Sequence, residues 1–177
     1  MGRVFPIELV PYDPSWPDLF RREADLLRSK LPSGVVTRIE HYGSTAIPGL
    51  TAKATIDILA EVTSFEAARE VCIAILAELG YANDWYIDHM VFFKGYVPKE
   101  QPVKYHIHMA PQGHRVIVDG LLFRDYLREH PDDARRYEDL KLRLAEVHKY
   151  DREAYTDAKA EFVRGIIEKA MAGRKAE

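Results

Sequence analysis

The pattern of hydrophobic positions changes period along the chain, and each period predicts a different kind of element. Apolar residues recur at helical spacing from Trp16 to Leu31, which predicts an amphipathic helix. A second helical pattern follows Ser64, a residue type that caps helix N-termini, and ends at Gly80. Three more helices are predicted toward the C-terminus, at 116–130, after Pro131, and at 151–173.

Runs rich in β-branched and aromatic residues lie between the helical patterns and predict strands. Residues 5–10 predict a short strand or an extended arm, and two further strands begin near Val35 and at Ile56. An antiparallel pair is predicted at 90–93 and 103–109. This order of helices and strands favours a mixed-sheet α/β or α+β domain with helices flanking the sheet.

Composition adds limits on class and compartment. The 177 residues predict one domain over 1–173 and a disordered tail at 174–177. With 47% hydrophobic residues and a net charge of −3, the chain is typical of soluble globular proteins. That charge argues against a generally basic nucleic-acid binder, although it leaves room for a local basic patch.

Two absences in the sequence bear on location. No apolar run reaches the length of a membrane span, and the N-terminus lacks the apolar core of a signal peptide. The single cysteine, Cys72, cannot form an intramolecular disulfide, which fits a reducing compartment. We therefore expect a cytoplasmic protein without a membrane partner, whose oligomeric state the sequence does not define.

The densest chemical signal lies at 38–62. It contains a Gly43-Ser44 turn, a lone cation at Lys53 in the following loop, and a carboxylate, Asp57, inside an apolar strand. A buried carboxylate costs several kcal/mol unless a metal ion, a cation or a donor compensates it. Backbone N–H groups and the serine hydroxyl of such a turn can bind phosphate, so the unit predicts a nucleotide-and-metal site. An ordinary turn and a structural carboxylate remain open alternatives.

Strand alternation places His106 and His108 on one face of their predicted strand. Two histidines at this spacing offer metal ligands, or a base beside an anion, although the spacing also arises by chance. We expect the pair to share one pocket with Asp57, because that carboxylate requires a compensating group.

Cations on the C-terminal helices form a second group of candidates. Arg124 and Arg128 lie one helical turn apart and, with Lys159, predict a positive wall in the same cleft. The alternative is a solvated helix face on which Asp125 or Glu129 neutralises the arginines.

Several separated motifs occur in the order found in a known family. The chain resembles the GrpB-like family (UPF0157), a group within the nucleotidyltransferase-fold (DNA polymerase beta-like) superfamily, from about residue 7 to residue 170. The motifs that carry the resemblance are HYGST at 41–45, IPGL at 47–50, AK at 52–53, IDI at 56–58, HIH at 106–108, LFRDYLR at 122–128, Tyr137 with Lys141, and YTDAK at 155–159.

The resemblance implies a nucleotidyltransferase core with a C-terminal helical elaboration. In that superfamily the Gly-Ser turn holds the phosphates of a nucleoside triphosphate, and acidic residues on neighbouring strands bind a divalent metal ion. Carried onto this sequence, the resemblance and the residue pattern together give these phosphate-binding candidates: His41, Gly43, Ser44, Thr45, Lys53, Arg124, Arg128 and Lys159.

One position departs from the superfamily pattern. The usual second carboxylate, two residues after the first, is replaced by Leu59, while Glu61 keeps the alternating face roughly 6.6 Å further along the strand. The place of a third acidic residue could be taken by His106 or His108, and such a site fits one transition-metal ion better than two Mg²⁺ ions. The candidate metal ligands are therefore Asp57, Glu61, His106 and His108.

Three hypotheses follow for function. The first is a nucleotidyltransferase-like protein that binds a nucleotide or another phosphorylated small molecule and transfers a nucleotidyl group with a divalent metal ion. The second is a binding or regulatory module that kept the fold and lost the chemistry. The third is a mononuclear metal hydrolase in which Asp57, His106 and His108 are the catalytic residues.

Overall fold

The computed structural model describes residues 6–96 and 102–174, and within these ranges the chain forms one five-stranded sheet with six α-helices. The predicted α/β class is therefore confirmed. The elements are α1 (Trp16–Lys30), β1 (Val36–Tyr42), β2 (Thr55–Val62), α2 (Phe65–Glu78), β3 (Ala82–Tyr86), β4 (His89–Lys94), β5 (Lys104–Pro111), α3 (Arg115–Glu129), α4 (Pro131–Val147), α5 (Arg152–Asp157) and α6 (Ala160–Arg174).

The sheet is mixed, with the strand order β1-β2-β5-β4-β3. Strands β2 and β5 run parallel, and the other neighbouring pairs are antiparallel, including the predicted pair β4 and β5. The parallel register sets Asp57 directly beside His106. Strand β3 was not predicted, because its five residues are all exposed and show no apolar alternation.

Strand β2 separates two layers of the core by alternation of its side chains. Ile56 and Ile58 pack into the main cluster, which includes residues of α1 and α2. Leu59 faces the other way and packs with Ala110 of β5 and Ile117 of α3. By the same alternation Asp57 lies on the face that α3 covers, where the C-terminal helices can reach it.

A glycine in the middle of α3 permits close packing on that face. A Cβ atom at Gly120 would lie 3.1 Å from the ring of Tyr42 and 3.2 Å from Leu59. Both distances are tighter than normal contacts between packed side chains, so a larger residue would push α3 away from the sheet.

The loop between β1 and β2 is fixed against the C-terminal helices. Ile47 and Leu50 of this loop are buried with Phe123 of α3, Tyr137 of α4 and Ile166 of α6. This apolar cluster holds the Gly43-Ser44 turn beside α4.

Two boundary predictions were wrong. The helix expected over 151–173 is two helices, α5 and α6, separated at Ala158 and Lys159. Arg174, predicted to begin a disordered tail, is the last residue of α6, and 175–177 lie outside the described residues.

The predicted N-terminal strand or arm at 5–10 is extended where it is described. Val10 forms an isolated β-bridge with Ala52, and residue 5 lies outside the described ranges. Among the residues that the structure describes, no helix has the length and apolar character needed to cross a membrane.

Candidate functional site

A small cavity of about 160 Å³ lies between the β2–β5 part of the sheet and helices α3 to α5. Sequence analysis named half of the residues that line it, and the structure brings these together: Gly43, Ser44, Thr45, Lys53, Asp57, His106 and Lys159. Helices α4 and α5 add polar residues that were not named as site residues: Tyr137, Lys141 and Tyr155.

The Gly43 turn lies directly on the carboxylate of Asp57. Gly43 has φ +72°, a left-handed conformation that side chains disfavour. A Cβ atom there would lie 2.5 Å from Oδ2 of Asp57, closer than non-bonded atoms approach. The sequence therefore needs glycine at this position both for the turn and for the approach of the carboxylate.

Asp57 and His106 form the base of the cavity. Oδ1 of Asp57 lies 3.5 Å from Nδ1 of His106. Burial raises the pKa of Asp57 to about 6, opposed by Lys53 and Lys159, and burial lowers the pKa of His106 to about 4. At neutral pH the carboxylate is thus mostly ionised and the imidazole is neutral.

His108 completes a group of metal-ligand type. One donor atom each from Asp57, His106 and His108 lie within 4.8 Å of one another. Burial lowers the pKa of His108 to about 3, so its imidazole is in the neutral form that binds metal ions. One carboxylate and two imidazoles match mononuclear transition-metal sites with open positions, and they match Mg²⁺ poorly because Mg²⁺ prefers oxygen ligands.

Lys141 of α4 is the site residue that sequence reasoning missed. It is only 2% exposed, and its ammonium donates hydrogen bonds to Oγ of Ser44 at 3.2 Å and to the carbonyl of Thr51. Burial lowers its pKa to about 7, with a further contribution from Lys159. A lysine on a helix is ordinarily expected to be exposed to solvent. The sequence signal that could have identified Lys141 as a site residue is its place in the Tyr137 and Lys141 motif of the family.

Lys159 and Lys53 complete a set of three ammonium groups around the cavity. Nζ of Lys159 lies 4.2 Å from the ring centroid of Tyr155, and Nζ of Lys53 lies 5.8 Å from the same centroid. Burial and the nearby Lys53 lower the pKa of Lys159 to about 8, and burial also lowers the pKa of Lys53. Mutual repulsion between the ammonium groups, of which only that of Lys141 belongs to a fully buried side chain, would be relieved by an anion.

The predicted positive wall of Arg124 and Arg128 is wrong in its location. Both arginines line a separate depression that shares no residue with the cavity. Nη1 of Arg124 donates to Glu40 and to the carbonyl of His41, and Nε of Arg128 donates to the carbonyl of Ala46. These carbonyls flank the Gly-Ser turn, so the arginines support the turn from outside. Helical spacing gives the distance between two side chains but not the side of the loop that they contact.

His41 and Thr45, predicted phosphate ligands, bond to each other and to the protein. The buried ring of His41 stacks on Phe20, and its Nε2 lies 3.0 Å from the hydroxyl of Thr45. That hydroxyl donates to the carbonyl of Thr55, so His41 is the donor in the first contact. Thr45 lines the cavity, whereas His41 lines the separate depression, which corrects its predicted place.

Glu61 was wrongly predicted as a metal ligand. It lies four residues beyond Asp57, roughly 13 Å along an extended strand, and its Oε1 accepts a hydrogen bond from Thr37. It is not part of the three-residue donor group. Leu59, at the position of the expected second carboxylate, is 1% exposed within an apolar cluster. Within the described part of the chain, the donor group therefore contains one carboxylate rather than two.

The fold is nucleotidyltransferase-like. A solved structure of a cytoplasmic RNA terminal U-transferase matches 77% of this chain and 41% of its own chain, with a TM-score of 0.50 and 14% identity, which is a likeness of fold alone. A family model described as GrpB protein matches residues 6–169, and the chain belongs to this family.

Relatives in sequence and structure agree with that assignment. A UPF0157 protein of Pseudomonas aeruginosa is 41% identical over 174 residues, covering 96% of this chain and 69% of the relative. The crystal structure of the conserved protein GrpB from Enterococcus faecalis has a TM-score of 0.82 and 29% identity, and the match covers 94% of this chain and 99% of that chain.

Proposed function

We propose that the cavity binds the phosphate groups of a nucleotide or another phosphorylated small molecule, next to one divalent transition-metal ion. The observation that carries this proposal is that Lys53, Lys141 and Lys159 line one cavity together with the Gly43-Ser44 turn, which Lys141 contacts directly. Three ammonium groups and a serine hydroxyl are an arrangement that a phosphate dianion would stabilise.

The size of the cavity limits what it would enclose. Pockets that enclose a whole small-molecule ligand measure about 300–1,000 Å³, whereas this cavity measures about 160 Å³. A phosphate or a short phosphate chain would therefore occupy the cavity, and the organic part of the ligand would lie outside it.

The donor group of Asp57, His106 and His108 fits one metal ion of the Zn²⁺ type. The donor atoms lie within 4.8 Å of one another, and ligands of one such ion lie at most about 4 Å apart, so binding would need a small contraction. When bound, the ion would polarise a phosphoryl oxygen or activate a water molecule. The lysines would hold the phosphate oxygens, and Ser44 would orient them through its hydroxyl and the backbone of its turn.

Nucleotidyl transfer is the reaction that this arrangement supports best. The lysines would neutralise the charge of a leaving pyrophosphate, and Asp57 beside neutral His106 would offer a base to an attacking hydroxyl. The apolar environment of Leu59 favours a second candidate, a binding module without turnover, because a two-metal mechanism lacks its second carboxylate.

Binding is tested first by isothermal titration calorimetry. Phosphate, pyrophosphate and the four ribonucleoside triphosphates are titrated with and without Zn²⁺, Mn²⁺ or Mg²⁺. We expect Ser44→Ala and Lys53→Ala to weaken binding of the phosphate ligands, and we expect Lys30→Ala, which changes an exposed lysine at the end of α1, to leave it unchanged. Equal affinities in all four proteins would refute the phosphate site.

Turnover then separates the candidate activities. Metal-dependent consumption of a nucleoside triphosphate with release of pyrophosphate would support transfer. Phosphate release from a substrate that is not a triphosphate would indicate a mononuclear hydrolase. Tight binding without turnover would support the binding module.

A further inference from the structure

One ring nitrogen of His108 belongs to a chain of hydrogen bonds that leads away from the cavity. Nδ1 of His108 lies 2.8 Å from Nε2 of His89, and Nδ1 of His89 lies 3.0 Å from Oδ1 of Asp88. Nε2 of His114 lies 3.5 Å from the other carboxylate oxygen of Asp88. Asp88, His89 and His114 do not line the cavity, and sequence analysis gave them no role.

The chemistry of this chain determines where each hydrogen atom lies. An ionised carboxylate only accepts hydrogen bonds, so Nδ1 of His89 must carry the hydrogen in its contact with Asp88. The neutral form of the His89 imidazole carries one hydrogen, so in this form Nε2 is an acceptor. The hydrogen in the next contact therefore belongs to Nδ1 of His108, and Nε2 of His108 keeps a free lone pair.

The outer end of the chain supports the same direction. The backbone N–H of Val116, at the start of α3, donates to Nδ1 of His114 at 3.3 Å. Because Nδ1 accepts this bond, the ring hydrogen of His114 is on Nε2, the atom that lies 3.5 Å from Asp88. The hydrogen bond from His89 lowers the pKa of Asp88, which keeps this carboxylate ionised. The ring nitrogens of His89 and His114 that lie beside Asp88 therefore both carry a hydrogen, and the carboxylate of Asp88 can only accept.

The inner end of the chain is held rigidly. His89 is 4% exposed and its ring centroid lies 5.1 Å from that of His108, so packing limits the rotation of both rings. Asp88 is at the surface, with 57% of its side chain exposed. A buried histidine thus connects a surface carboxylate to the site.

We propose that Asp88 and His89 are positioning residues that hold His108 in the Nδ1–H tautomer. The Nε2 lone pair of His108 is then available to a transition-metal ion before the ion arrives. Histidines that bind metal ions donate their other N–H to such a partner, and removal of the partner weakens metal binding about 10- to 100-fold. This inference rests on the metal role in the proposed function.

The tautomer is measured in the metal-free protein by NMR with ¹⁵N-labelled histidine at about pH 8, where ordinary imidazoles are neutral. We expect the Nδ1–H tautomer for His108 in the wild type. His89→Leu should convert this signal to a mixture or to the Nε2–H form, because the acceptor is lost. An Nε2–H signal for His108 in the wild type would overturn the inference, and so would an unchanged Nδ1–H signal in the variant.

Asp88→Ala provides the same test without a change in the core. Loss of the Asp88 carboxylate leaves His89 free to adopt either tautomer, so His108 should give the signals of both tautomers. An unchanged Nδ1–H signal of His108 in this variant would also overturn the inference. Asp84→Ala removes another exposed carboxylate of the same hairpin and should leave the signal as in the wild type.

Zn²⁺ affinity is measured on the same proteins by competition calorimetry. We expect His89→Leu to weaken Zn²⁺ binding about 10- to 100-fold, Asp88→Ala to weaken it less, and Asp84→Ala to leave it unchanged. A wild-type protein that binds no Zn²⁺ would refute the metal role in the proposed function, and the tautomer would still decide the positioning role. Equal Zn²⁺ affinity in wild type and His89→Leu would overturn the inference itself.

Discussion

Replacement of Lys141 by methionine tests the electrostatics of the cavity. The change keeps the length and much of the apolar stem of the side chain and removes the ammonium group. Lys141 is almost fully buried, with a pKa lowered from 10.5 to about 7. Between these two values the unfolded chain binds a proton that the folded protein releases, so the free energy of unfolding of the wild type should rise with pH.

The size of this rise follows from the two pKa values. Between pH 7 and pH 9 the group contributes a gain of about 2 kcal/mol to the wild type, and Lys141→Met should lack it. The lost hydrogen bonds to Ser44 and Thr51 change stability at every pH and do not alter the slope.

Urea unfolding followed by circular dichroism at pH 7, 8 and 9 measures the effect. The stability difference between wild type and Lys141→Met should change by up to about 2 kcal/mol in favour of the wild type as the pH rises. The free energy of unfolding of Lys30→Met, a change at an exposed position, should show the same dependence on pH as that of the wild type. A pH-independent difference for Lys141→Met would refute the claim that its ammonium is desolvated in the fold.

Three further substitutions test other parts of the site. Gly43→Ala should destabilise the fold by about 1–3 kcal/mol in urea unfolding, because the new side chain is both strained at positive φ and too close to Asp57. Gly49→Ala is the control, since Gly49 has φ +78° but open space around it and the variant is strained without a close contact. An equal loss of stability in both variants would show that the contact with Asp57 contributes nothing. Asp57→Asn should abolish measurable Zn²⁺ binding in calorimetry while the circular dichroism spectrum stays unchanged, and retained binding would contradict its role as ligand. Arg124→Met should cost about 1–3 kcal/mol in urea unfolding because it removes the hydrogen bonds of the buried guanidinium to Glu40 and to the carbonyl of His41, and a loss below about 1 kcal/mol would show that these bonds are dispensable.

Local periodicity accounts for the parts of the fold that the sequence predicted correctly. Helix α1 and the separate strands β4 and β5 follow from residues that are neighbours in the chain, so a window of about fifteen residues contains the signal of each element. The common face of His106 and His108 follows from strand alternation in the same way.

Other features depend on contacts between distant segments, which no local window contains. The parallel pairing of β2 with β5 sets Asp57 beside His106, and the sequence offers no pattern for that choice of neighbour. Lys141 is buried because the loop before β2 packs on α4, whereas a lysine on a helix is ordinarily exposed to solvent. The arginines of α3 and the hydrogen-bond chain through His89 were misjudged or missed for the same reason.

The parallel pairing of β2 with β5 also has a consequence for folding. Parallel strands cannot be joined by a tight turn, and here α2, β3 and β4 lie between them in the chain. Contacts of such long sequence separation form slowly, because the chain entropy of the intervening segment is lost before the contacts stabilise it. Asp57 and His106 should therefore meet only when the centre of the sheet forms, and a folding intermediate without this pairing would lack the candidate metal-ligand group.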